Sequence, residues 1–347
     1  MMQNRNLTSA VLLIGLIVIT VGVFWLNDWF KHQREFHGIQ IKQQAELIES
    51  NKKSGYVHLV ANMLDLIDAE LKDNPKRTLS DETINRIISL CYFLKPYVNR
   101  EGDSLSSKLL SPERGQLLFV LAKLNLDTTS MNKIRKQATV PGADLREADL
   151  SGADLHEMDL RSADLKGANL KGVNLSKAHL EGSILWGANV SEANLDGTFF
   201  KSADMRWSDL NSSSLLKADL QEVDLTSAQL RKTDLRGAVM KWVDLTGSFL
   251  NEAKLDSADM FRAMLRRSQL TSASLVGTNL NLANLSEANL TDTNFTDANI
   301  SDVIVSEQAW LSRFTEWKVV GGEDLQKKYK LMEDRSEKEV RWLVKKN

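Results

Sequence analysis

From residue 141 the chain reads PGADLREADLSGADLHEMDL, and an apolar residue returns at every fifth position. With that position called i, it falls at Leu145, Leu150, Leu155 and onward to Val305 without a slip in phase, 33 repeats in all. Most occupants are Leu; Val190, Phe200, Met205, Met240, Met260, Phe295, Ile300 and Val305 are the variants. Position i-2 is small: Ala at 143, 148, 153, 163 and 168, Ser or Thr at 183, 198, 208 and 213, with Met158, Val173, Val223 and Val243 as larger exceptions. Position i-1 is mostly Asp or Asn, and i+1 and i+2 are polar or Gly. An α-helix would smear a period of five around its circumference, because its side chains repeat every 3.6 residues. Two inward positions at i-2 and i obey the alternation of a strand. A corner must then interrupt each short strand, and Gly at 152, 167, 172, 182, 187, 197, 237, 247 and 277 suits a corner that needs permissive dihedrals. A coiled solenoid buries every Leu and leaves no side chain unexplained.

The pattern changes on either side. Leu7 to Leu26 carries no charge and reads as a membrane-spanning helix, since twenty residues at ~1.5 Å each span about 30 Å. Arg5, Trp25, Trp29 and Lys31 flank it as interface anchors do. The following FWLNDWFKH offers no small-residue cleavage site, so an uncleaved anchor is expected rather than a signal peptide. The positive-inside balance leans slightly toward a cytoplasmic C-terminal body. Gly15, Ile19 and Gly22 share one face, which leaves a homodimer seam open, although Gly is common in membrane helices. Next, Tyr56, Leu59, Val60, Met63, Leu64, Ile67 and Leu71 fall at helical spacing. A second helix follows the cap Ser80 with Ile84, Ile87, Ile88, Cys91 and Leu94 as its stripe, and Pro96 marks its end. A third starts at Ser111-Pro112-Glu113, and the three are expected to pack into a small unit. After the repeats, SEQAWLSRFTEW presents Trp310, Leu311, Phe314 and Trp317 as a plug for the open end of the rod. The tail from Glu323 to Asn347 reads as a charged amphipathic helix with Leu325, Tyr329 and Met332 on one side.

The period, the A-(D/N)-L-x-x motif and its span over 143–305 resemble the pentapeptide-repeat family. That resemblance implies a mainly β fold, a right-handed quadrilateral parallel β-helix with four repeats per coil. Thirty-three repeats then give about eight coils and a rod of roughly 40 Å. The expected organisation is an anchor at 1–27, a juxtamembrane linker at 28–54, an α-helical module at 55–140, the β-helix at 141–305 and a cap with its amphipathic helix at 306–347.

Charge and chemistry narrow the function. The net charge of -2 hides a gradient: 1–142 sums to +4, 143–303 to -8 and 304–347 to +2. An acidic rod lacks the phosphate-binding term, so direct nucleic-acid binding is not expected. The single Cys91 excludes an intrachain disulfide and sits on an apolar stripe, as a structural thiol does. His32, His37 and His58 have no ligand spacing with it, and no nucleophile motif or phosphate loop is present. Carboxylates that the repeat itself places at i-1 need no catalytic explanation. No enzyme, metal or cofactor is expected. The outward positions carry the exceptions: Trp186, Trp207, Trp242, Phe261, Phe199, Ile184 and Met264, with Arg206 beside them. On a 20-residue register they fall on two adjacent faces, and an exposed apolar patch marks a partner surface unless the chain's own tail covers it. The expected function is a membrane-tethered, non-enzymatic scaffold for an unknown protein partner, on the bacterial inner membrane. The alternative follows from the resemblance: some soluble members mimic duplex DNA and protect DNA gyrase.

Overall fold

The computed structural model describes residues 54–101, 104–306, 309–333 and 341–346. The chain divides into two units, Met1–Leu59 and Val60–Asn347, and the architecture below is that of the second. The expected anchor Leu7–Leu26 and most of the expected linker at 28–54 lie outside the described residues. Among the described residues no helix is long and apolar enough to cross a membrane.

The repeat builds a four-sided parallel β-helix. Bridges join residues 20 apart, as in Asp144↔Asp164↔Ile184↔Asp204. We number the faces by their first inward Leu: face 1 at Leu145, face 2 at Leu150, face 3 at Leu155, face 4 at Leu160. The i column is almost completely buried from Leu145 to Val305. Ser and Thr enter the core at i-2 because their hydroxyls donate to carbonyls there. Ser183 Oγ reaches Leu180 O at 2.7 Å, and Thr278 Oγ1 reaches Leu255 O in the preceding coil at 2.8 Å.

Backbone accounting explains the rest of the motif. In a typical repeat, Asp164 N–H donates to Ala143 O, Leu165 N–H to Ile184 O, Gly167 N–H to Trp186 O and Ala168 N–H to Leu165 O. That covers four of the five N–H groups, and i+1 is left over. The Asp or Asn at i-1 accepts it: Lys166 N–H donates to Asp164 Oδ1 at 3.1 Å, Ser151 N–H to Asp149 Oδ1 at 3.2 Å and Thr246 N–H to Asp244 Oδ1 at 2.9 Å. At the corner, φ is positive at every fifth residue from Gly142 to Asp302, between 54° and 66°. The i+3→i hydrogen bond with positive φ at the second central residue is a type II turn. Glycine is therefore not required at a corner, since Ser, Glu, Lys and Trp adopt the same state.

The first end is closed by the helical module. Within this unit residues 60–71 (α1), Asp81–Phe93 (α2) and Pro112–Lys123 (α3) are helical, with Ser80 and Ser111 as side-chain caps. Three elements depart from the sequence expectation. Tyr97–Glu101 (β1) and Ser104–Leu110 (β2) form an antiparallel hairpin, and Thr128–Gln137 (α4) is an additional helix capped by Asp127. Helix α4 is strongly polar overall, with Met131 and Ile134 as its only large buried apolar residues, so its short stripe is easily overlooked in the sequence. The module is stitched to the coil through buried arginines. Arg114 donates to Cys91 O (2.9 Å) and Pro141 O (2.5 Å), and Arg135 to the Asp154 carboxylate (2.7 Å). Burial pushes the Cys91 thiol up to about 11, as befits an inert structural cysteine. Gly115 touches the first coil so closely that a Cβ would lie 1.9 Å from Asp144 O.

The last end is closed by returning chain. Phe314 stacks on Phe295 (centroids 6.1 Å), Trp310 packs edge-on to Phe314 (4.7 Å), and Trp317 lies 6.4 Å from Trp310. Trp310 and Phe314 are buried. Val320 pairs with Asn294 and so extends face 3 by one strand. The tail is not the amphipathic helix expected from its sequence. Gly322–Lys328 (α5) gives way to Tyr329–Glu333 (β4) and Arg341–Lys345 (β5), and β5 pairs antiparallel with Ile304–Val305 (β3) in a sheet of order β3-β5-β4. The open edge of the final coil supplies unpaired backbone that a strand satisfies and a helix cannot.

Gly115→Ala should destabilise the junction by on the order of 3 kcal/mol, read as a lowered unfolding midpoint, with little effect from Gly152→Ser at an open corner. Acid should loosen the rod. The Ser151 hydroxyl and N–H, with Lys123, hold Asp149 down to about 2 from 3.8. The Arg236 guanidinium lowers Asp234, and Arg267 and Arg266 lower Glu287. Carboxyls depressed in the folded state contribute stability above their unfolded values and lose it as pH falls through the folded ones. Asp144, raised by burial, acts in the opposite direction. The unfolding midpoint should be flat from neutrality to pH ~4 and fall between ~4 and ~2.

Candidate protein-interaction surface

Several of the outward apolar residues sit at positions that the repeat otherwise gives to polar residues, although Phe261 keeps the usual corner, its N–H donating to Asp259 Oδ1 at 3.3 Å. Ile184, Phe199, Val239 and Met264 occupy i-1, where Asp or Asn would accept the i+1 N–H. Among the described residues, the N–H groups of Trp186, Lys201, Lys241 and Arg266 have no protein acceptor. Some other departures are repaired: Asp196 of the preceding coil accepts Leu216 N–H at 3.0 Å, and Asp256 accepts Val276 N–H at 3.1 Å. Others are not, since among the described residues the N–H groups of Glu181, Asn251, Asp256 and Thr271 likewise have no protein acceptor. Trp207 and Trp242 occupy i+2 with φ of 60° and 54°, a left-handed state that bulky residues rarely take.

The 20-residue register places these residues on faces 1 and 4 and the corners beside face 1. They form two clusters and an outlier rather than one contiguous patch. The lower cluster is Ile184, Trp186 and Trp207 at the corner between faces 1 and 2. Trp207 is 62% exposed, and the Lys166 ammonium lies 4.9 Å from the Trp186 ring. The upper cluster is Val239, Trp242, Phe261 and Met264, around the corner between faces 4 and 1. Trp242 meets Phe261 edge-on at 5.9 Å, and Met264 is 44% exposed. Phe199 stands apart on face 4, stacked on His179 at 4.8 Å. The face 1 column reads Ile184, Asp204, Asp224, Asp244, Met264, so carboxylates separate the clusters. Arg206 ties two of them together, 2.6 Å from Asp204 and 3.5 Å from Asp224. The Asp244 carboxylate accepts only from Thr246 N–H among the hydrogen bonds of the described residues.

The described tail residues pack on the last coil, and Trp186, Trp207, Trp242 and Met264 stay exposed. Phe249, on face 2, lies 4.9 Å from the Arg231 guanidinium. The His179 stack and the missing i+1 acceptors were not found by sequence reasoning. The readable signal was an i-1 residue other than Asp or Asn. Among the described residues no group of His, Cys, Asp and Glu is placed to hold a metal ion.

The family described as Pentapeptide repeats matches this chain in 8 copies over residues 142–302. No curated protein matches the chain. Similar solved structures include HetL, a pentapeptide repeat protein involved in heterocyst differentiation regulation in the cyanobacterium Nostoc sp. strain PCC 7120. It is 30% identical, over 48% of this chain and 83% of that one, with a TM-score of 0.32. Full-length QnrB1, a plasmid-mediated fluoroquinolone resistance protein, is 18% identical over 52% of this chain and 92% of that one, with a TM-score of 0.20. A pentapeptide repeat protein of the Arabidopsis thaliana thylakoid lumen is 22% identical over 35% and 68%, with a TM-score of 0.13.

Restoring the missing acceptors should stabilise the rod. Ile184→Asn and Met264→Asn each supply a side-chain oxygen for the i+1 N–H and should add about 0.5–1 kcal/mol, seen as higher unfolding midpoints in thermal scans. Lower midpoints would show that the apolar residues are there for packing.

Proposed function

We propose that this chain, which belongs to the pentapeptide-repeat family, is a non-enzymatic, membrane-tethered scaffold whose right-handed β-helix presents faces 1 and 4 to a protein partner. Proteins of the family are in general structural or interaction proteins rather than catalysts. One observation carries the reading: exposed apolar side chains gather in two clusters around face 1, at outward positions that the repeat otherwise gives to polar residues. An exposed apolar patch on a folded surface is a pointer to a partner. The rod suits presentation because each coil is hydrogen-bonded to its neighbours, so the two clusters keep a fixed separation. The tether rests on the uncharged run Leu7–Leu26 and its flanking Trp25, Trp29 and Lys31. Its slight positive-inside lean supports a rod on the cytoplasmic side of a bacterial inner membrane.

Mimicry of DNA toward gyrase is the alternative, favoured by the -8 charge of residues 143–303. Its weakness is local pairing. Arg146, Arg161, Arg206 and Arg236 each lie 2.6–2.7 Å from the carboxylate two residues before them, which interrupts any phosphate-like row.

Trp207→Gly with Trp242→Gly should abolish crosslinking to the partner in cells while leaving the unfolding midpoint unchanged or higher, since glycine suits both corners. Undiminished crosslinking would sink the surface. Removing residues 1–27 should move the protein from carbonate-washed membranes to the soluble fraction. A reporter fused after Asn347 should be active on the cytoplasmic side, and a periplasmic result would eliminate gyrase.

A further inference from the structure

We infer that the partner element seated on face 1 is an amphipathic α-helix of about three to four turns, apolar at both ends and cationic between them, a conclusion that rests on the interaction surface proposed above. The sides of the rod exclude strand addition. Along each face the backbone groups of one coil are taken by the next, as in Leu165 N–H to Ile184 O and Asp204 N–H to Ser183 O. A partner must therefore be recognised through side chains. It must also span the clusters. Ile184 and Met264 are separated by four bridge steps, about 19 Å at ~4.8 Å per step, which matches about 13 residues of helix. Trp207 lies at the corner with face 2 and Trp242 at the corner with face 4, so the track runs diagonally across face 1. The width of one face, a three-residue strand with its corners, is about 10 Å, the diameter of a helix with its side chains.

Charge selects the middle of that helix. Asp204, Asp224 and Asp244 line the track, and Arg206 is the cation set against Asp204 and Asp224. The floor of the track is left net acidic, and Lys or Arg near the centre of the helix would complement it. Flanking aromatic anchors would exclude water from those pairs, which strengthens them. This differs from a DNA-like charge pattern, in which the whole rod contributes and apolar anchors play no part.

The test is selection from a display library of a single stable helix with randomised surface positions, panned on the full-length chain in detergent micelles. The expected winners carry apolar residues about 12–14 positions apart with Lys or Arg between them. Their affinity should fall about tenfold or more with Ile184→Asn/Met264→Asn and again with Asp224→Asn/Asp244→Asn. The first pair supplies an oxygen for the i+1 N–H and the second keeps the one already there, so the rod stays folded, and circular dichroism checks this. Acidic winners, winners indifferent to both variants, or no winners at all would overturn the helix. If cellular crosslinking still depends on Trp207 and Trp242 in that case, the surface stands and only the shape of its partner is wrong. If that dependence is also absent, the surface itself falls.

Discussion

In each repeat the coil-to-coil ladder and the corner bond take four of the five backbone N–H groups, and the one at i+1 must find an acceptor elsewhere. This constraint determines most of the outer surface. An Asp or Asn at i-1 is close enough to accept it and short enough to stay local. The acidic character of the rod is therefore first a structural property: carboxylates such as Asp149, Asp224 and Asp244 serve the backbone of their own corner. The same constraint gives meaning to the exceptions, because a hydrophobe at i-1 leaves the N–H to water.

The ends obey the same accounting. A solenoid exposes a strand edge at each terminus, and here both are met by chain from outside the repeat. Ser111 bridges to Ala143 at the start, while Val320 and β5 pair with the last coil. Gly115 permits the approach of α3 at the first end. Gly321, with φ of 79° and no room for a Cβ, which would lie 2.9 Å from Thr296 N, permits the turn of the cap at the last. Between these closures the coils are nearly identical, so a contact surface must be written in side chains alone.

How much of this was legible varies by element. The period of five, the small residues at i-2 and the Leu at i were enough for the solenoid, because each repeat sees the same surroundings and local pattern equals global structure. Helices α2 and α3 were legible from Ser80, Ser111 and Pro112, whose side chains act within one turn. The hairpin after Pro96 and the strands at Tyr329–Glu333 and Arg341–Lys345 were not. Their segments are short and lack a clean alternation of apolar and polar residues, and for β5 the decisive partner, Ile304–Val305, lies far back along the chain. The surface was half legible. Trp186, Trp207 and Trp242 stand out as letters in the repeat, but their division into two clusters around Asp204, Asp224 and Asp244 needs the register of the coils.

The sequence by itself determined the β-helix, its span, its inward columns and the identity of the outward hydrophobes, since a strictly repeated pattern has one arrangement that buries every Leu. The tertiary structure alone decided what closes the rod, because a strand edge is satisfied by whichever segment can reach it. It also decided which outward residues are neighbours, because residues 20 apart in sequence become adjacent only when the coil closes after four corners.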